Sequence, residues 1–184
     1  MKVINLFAGP GAGKSTTAAG TFHELKVAGV NAELVGEFAK DLTWEGRHGT
    51  LQNQLYILAK QYHRLDRLRG QVEVVVIDSP LMLSCIYLPR VITDCRGEEW
   101  RTFRSLIGAT AKAAFNTFDN INFVVRRTKP YNPKGRNQSL DEARVIDGEI
   151  EEMLRREGLP YHEVYGDSSA PTQVLQVLQA HRLL

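Results

Sequence analysis

Three glycines in five positions and a Lys-Ser pair give the run Ala8-Gly9-Pro10-Gly11-Ala12-Gly13-Lys14-Ser15-Thr16 a specific chemistry. Glycines at this spacing let the backbone turn tightly and approach a ligand closely, so that successive N–H groups face one anion. An apolar stretch, Val3-Ile4-Asn5-Leu6-Phe7, precedes the run, and Thr16-Thr17-Ala18-Ala19 opens a helix after it. Strand, glycine-rich turn, Gly-Lys-Ser and helix make up the phosphate-binding P-loop. The helix start adds unsatisfied N–H groups and a positive dipole end. Lys14 then reaches β- and γ-phosphates, and the Ser15 hydroxyl suits Mg²⁺. Gly9 to Thr16 are therefore the expected nucleotide-binding residues. The strict motif has Gly where this chain has Ala8, so the match is to the looser form.

Two carboxylates and a basic run complete the reactive set. Asp78-Ser79-Pro80 follows the most apolar segment, Val72 to Ile77. In an open α/β sheet the reactive edge lies beyond the carboxyl ends of the strands, which places Asp78 beside the P-loop as a Mg²⁺ ligand, direct or through water. The same Asp-Ser-Pro also fits a helix start. Gly36-Glu37-Phe38 ends the second strand. If that strand lies near the P-loop, Glu37 can accept the proton of an attacking hydroxyl, a role open equally to Asp78; otherwise Glu37 is a solvated loop residue. From Arg126 to Arg136 the chain carries five cations and no acid, with two prolines and a glycine. Such a segment, about residues 126–138, suits a lid whose arginines, Arg126 and Arg136, stabilise charge on a transferred phosphoryl group. The alternative is a solvated charge run. Trp44 either stacks on a base at the acceptor entrance or belongs to the core.

These residues need a scaffold, and the pattern supplies one. Strands near 3–7, 31–35, 72–77, 121–125 and 161–165 alternate with helical stretches near 14–28, 50–68, 81–88, 98–118 (one helix or a broken pair), 139–157 and 172–181. Ser139 and Glu142 form a capping box for the helix over 139–157, which follows the basic run. Alternation of this kind predicts a three-layer α/β domain with a parallel sheet, spanning 1–184 as one unit. With 43% hydrophobic and 24% charged residues and a net charge of +2, the chain reads as a globular protein without a global polyanion-binding signature. Cys85 and Cys95 show no metal or redox spacing, the five histidines no zinc spacing, and no run of about 18 apolar residues occurs. A cytoplasmic protein with free thiols and without signal peptide or membrane span is expected. A guanine-specific Asn-Lys-x-Asp motif is absent, and a motor-type ATPase would need a further helical domain for which 184 residues leave no room.

Taken together, Gly-Pro-Gly-Ala-Gly-Lys-Ser-Thr, Glu37, Asp78-Ser-Pro and the basic run resemble the P-loop kinases of the thymidylate kinase and nucleoside kinase group. That resemblance implies strand order 2-3-1-4-5, ATP with Mg²⁺, and phosphoryl transfer to a hydroxyl or phosphate acceptor. Phe38 to Glu45 and Lys129 to Gln138 are similar to bacteriophage nucleotide kinases, among them the 5-hydroxymethyluracil DNA kinases. This narrower likeness implies a nucleobase or nucleoside-type acceptor, with 5-hydroxymethyluracil in DNA the best specific choice and a free nucleoside or nucleotide the alternative. The lid and the basic residues His63, Arg64, Arg67 and Arg69 would then contact the DNA backbone. Asp-Ser-Pro departs from the Asp-Arg of thymidylate kinases, which argues against free thymidylate. A nucleotide-driven switch with no acceptor is the reading of another class.

Overall fold

Strand β1 (Lys2–Phe7) is apolar on both faces because both are covered. Val3 and Phe7 enter one core cluster while Ile4 and Leu6 enter the other. Strand β3 (Val74–Ile77) divides its side chains in the same way. Near-continuous apolar strands of this kind belong to the middle of a parallel sheet. A computed structural model describes residues 1–91, 97–134 and 138–181. Its sheet has five parallel strands in the order β2-β3-β1-β4-β5, as the resemblance implied. The remaining strands are β2 (Ala32–Val35), β4 (Asp119–Arg126) and β5 (His162–Tyr165).

Helices α1 (Lys14–Val27) and α8 (Ala170–Ala180) cover one face, with Ala18, Leu25, Val174 and Leu178 fully buried. The other face is covered by α4 (Gln54–Asp66), α5 (Ser84–Val91), α6 (Glu98–Phe115) and α7 (Leu140–Arg156), through Leu58, Ile86, Ile107 and Ile146 among others. The capping box opens α7 as expected: Ser139 Oγ accepts from the Glu142 amide, and Glu142 accepts from the Ser139 amide at 2.6 Å. Among the described residues no helix is long and apolar enough to cross a membrane.

Two local expectations need correction. The helix expected over 50–68 is two helices, α3 (His48–Leu51) and α4, because the Asn53 side chain accepts from the Tyr56 amide and starts a new helix there. Short polar side chains at a helix start compete with continuation of the preceding turn. The segment after Glu37, given no structure in the sequence reading, forms α2 (Phe38–Trp44).

Register fixes which residues share an edge. Ile77 pairs with both Asn5 and Val35, and Phe7 pairs with Val124, while Arg126 pairs with Tyr165. The chain therefore leaves the sheet toward the same edge at Ala8, Gly36, Asp78, Arg127 and Gly166.

Candidate functional site

The turn after β1 wraps around its own lysine. Lys14 Nζ donates to the Ala8 carbonyl at 2.8 Å and to the Gly9 carbonyl at 3.4 Å. Gly11 has φ +77°, a conformation that L side chains rarely adopt. Gly9 is glycine for a different reason. A Cβ there would collide with the Ala143 carbonyl and lie 2.8 Å from Asp147 Oδ1, so only glycine admits α7 this close.

Asp78 is buried, and its Oδ2 accepts from Ser15 Oγ at 2.6 Å. Its second oxygen, Oδ1, is buried and has no hydrogen-bond partner among the described residues. A buried, unpartnered carboxylate oxygen is costly unless something else satisfies it. A hydroxyl and a carboxylate oxygen side by side form a hard-oxygen donor set suited to Mg²⁺. Among the described residues there is no cluster of three or more His, Cys, Asp or Glu.

Glu37 occupies the residue before α2 and lines the same cavity as Lys14 and Ser15. Burial raises its pKa above the ordinary carboxylate value; Lys14 opposes the rise and Asp78 adds to it. Gln61 holds this turn in place. Its Oε1 accepts from the Phe38 amide at 3.0 Å and its Nε2 donates to the Gly36 carbonyl at 3.1 Å. Sequence reasoning missed Gln61, because only the packing of α4 reveals that it faces the strand exit.

From the P-loop the cavity, about 550 Å³, extends between α2, α4 and α5. Leu51, Ile57, Leu81 and Leu83 give it apolar walls, and Gln54, Tyr87 and Arg90 supply polar groups. Burial raises the Tyr87 pKa, which keeps the phenol neutral and able to donate. Arg90 pairs with Glu149 at 2.6 Å. Trp44, which the sequence left between stacking and core, lines this cavity and is 68% exposed, so it is not a core residue.

The basic run divides differently from expectation. Arg126 is gripped by Glu151 and Glu163 and is absent from the cavity lining. Both acids hold its guanidinium against β5 and α7, whereas the sequence reading placed it over the phosphates. The neighbouring Arg127 faces the P-loop instead. Its Nη1 donates to the Pro10 carbonyl at 2.8 Å, and its Nε and Nη2 donate to Asp147 at 3.2 and 3.0 Å. Arg136 lies outside the described residues. On α4 and the turn after it, Arg64 pairs with Asp41 at 2.5 Å and Arg69 with Asp66 at 3.0 Å, so both are engaged within the chain.

An AAA domain family model matches residues 3–170. No curated protein matches the chain by sequence. Among solved structures, deoxyadenosine kinase from M. mycoides with bound dATP superposes with a TM-score of 0.66 at 18% identity, covering 98% of this chain and 100% of that one. The same enzyme with bound dCTP gives 0.59 at 16% identity, covering 98% and 100%. With its products dCMP and a flexible dCDP it gives 0.57 at 17% identity, covering 100% of both chains. The likeness is one of fold: a nucleoside kinase P-loop fold.

Proposed function

The chain belongs to the AAA domain family, and on that premise we propose that it is an ATP-dependent kinase acting on a hydroxyl of a nucleobase or nucleoside-type acceptor. One observation carries the reading. The P-loop and Glu37 line a cavity that also has apolar walls and a few polar groups, and Asp78 stands behind it on Ser15, which leaves room for an acceptor beside the phosphates.

In this reading the P-loop amides and Lys14 hold the triphosphate, and Lys14 leaves its carbonyl partners to meet it. Ser15 and Asp78 would hold Mg²⁺, which supplies charge neutralisation along the phosphates when bound. Glu37 accepts the proton of the acceptor hydroxyl as that oxygen attacks the γ-phosphorus and the bond to ADP breaks. Its raised pKa makes it a stronger base than an ordinary carboxylate, an effect worth about 10²–10⁴-fold in rate when well placed. Gln54, Tyr87 and the apolar walls would seat the heterocycle.

The specific acceptor we propose is the 5-hydroxymethyl group of uracil in DNA, supported by the likeness of residues 38–45 and 129–138 to the phage enzymes. A base stacked within a duplex cannot enter a cavity, so a duplex substrate must present it flipped from the stack. Labelled ATP offered with hydroxymethyluracil-containing DNA, unmodified DNA and a panel of free nucleosides and nucleotides tests both levels. Label in the modified DNA alone supports the full reading. Label in a free nucleoside keeps the kinase and replaces the acceptor. ATP consumption that no acceptor changes would overturn the kinase reading in favour of an ATPase.

A further inference from the structure

We infer that Asp147 and Arg127 form an external brace that presets two peptide orientations of the P-loop, and that both are positioning residues for nucleotide binding. The inference rests on the phosphate-binding part of the proposed function and not on the acceptor.

The argument follows from peptide geometry. In a trans peptide the C=O and the following N–H point in opposite directions. The Gly9 N–H is turned outward, toward Asp147 Oδ1 at 2.6 Å. The Ala8 carbonyl of the same peptide must then point inward, and there it accepts from Lys14 Nζ. Two residues later the polarity is reversed. The Pro10 carbonyl points outward to Arg127 Nη1, so the Gly11 N–H of that peptide is aimed away from Arg127, into the cavity that Pro10 and Gly11 line.

One ion pair links the two outward contacts. Asp147 uses one oxygen for the Gly9 amide and the other for Arg127, whose remaining nitrogen reaches Pro10. Arg127 is only 12% exposed, so the pair is weakly screened by solvent. The Tyr131 ring covers the same turn from outside: a Cβ on Gly11 would lie 2.9 Å from it. A glycine-rich loop has many accessible conformations, and fixing it before the ligand arrives removes part of the ordering cost of binding. The brace sits on the far side of the loop from the nucleotide, and neither Asp147 nor Arg127 lines the cavity.

The test measures ATP and ADP affinity by calorimetry well below the thermal midpoint, where every variant is folded, so that a loss of stability alone leaves the result unchanged. Asp147→Ala and Arg127→Ala are each expected to weaken ATP binding about tenfold or more, the scale of one misdirected hydrogen bond to a charged group. The double variant should be no worse than either single one, because the two residues act as one device. Asp147→Asn keeps an acceptor for the Gly9 amide and loses the charge that holds Arg127, so its affinity should fall between wild type and Asp147→Ala. Wild-type ATP affinity in the folded variants, or losses that multiply in the double variant, would overturn the brace. These affinities need no acceptor. Weakened binding in a protein that phosphorylates nothing would sustain the brace while the kinase reading fails, and unchanged binding in a working kinase would remove the brace alone.

Discussion

Gly166→Ala adds one methyl group, and the structure gives it nowhere to go. Gly166 follows β5, and its amide donates to the Arg126 carbonyl at 2.8 Å. A Cβ here would fall well inside 3 Å of the Ala12 carbonyl oxygen, 2.9 Å from the Arg126 oxygen and 3.1 Å from Val125 Cγ1. The first two are backbone atoms, so no rotamer change relieves the clash; the P-loop or the β4 exit must move. Overpacking of this kind costs about 1–3 kcal/mol. For a chain of this size each kcal/mol lowers the melting midpoint by about 2–4 °C, a drop of roughly 2–12 °C in all. Because Ala12 belongs to the P-loop, nucleotide affinity should fall with it. Thermal denaturation with and without ATP reads both effects. At ATP one hundred times the wild-type Kd the wild type gains about 2.7 kcal/mol, and a variant with tenfold weaker affinity gains about 1.4 kcal/mol. Gly148→Ala is the control: it lies within α7 with nothing inside 4 Å of its added methyl, and should gain about 0.5–1 kcal/mol. A Gly166→Ala protein with the wild-type midpoint and the full ATP-induced shift would refute the interlock between the β5 exit and the P-loop.

Two further outcomes follow from the site. Burial holds the Glu37 proton more tightly in the folded than in the unfolded chain, so this group's contribution to stability is lost as pH rises through its raised value. Glu37→Gln should therefore raise the thermal midpoint at neutral pH, with the gain vanishing toward acid, while turnover falls about 10²–10⁴-fold and the acid limb of kcat/KM, set above the usual carboxylate range, disappears. A variant less stable at neutral pH, or fully active, would contradict the assignment. Lys14→Ala should leave the melting curve close to wild type and lower turnover about 10²–10³-fold; retained turnover would remove the P-loop lysine from the reaction.

The P-loop, Asp78 and Glu37 were legible in the sequence because their signals are local. Glycine spacing, a lysine beside a hydroxyl, and a carboxylate closing an apolar strand each fit within a short window, and sheet topology then brings them together. Arg127 was not distinguishable from Arg126, since which of two adjacent arginines faces the loop depends on strand phase by a single residue. Asp147 and Gly166 were invisible for another reason. Asp147 meets Gly9 across 138 positions, and Gly166 meets Ala12 across a comparable span, so no window contains both partners. The break between α3 and α4 shows the opposite failure: the signal, Asn53, was local, but the apolar spacing around it reads through the break.

Helix α7 sends three carboxylates to three arginines: Asp147 to Arg127, Glu149 to Arg90 and Glu151 to Arg126. Two of the five cations between Arg126 and Arg136 are thereby neutralised within the protein, so the field at the mouth of the site is weaker than its composition suggests. Long-range attraction of a polyanion depends on that outer field and decays with ionic strength. Nucleotide capture by this chain therefore gains less from long-range steering than five unpaired cations would supply, and its rate should fall less steeply with added salt than the composition suggests.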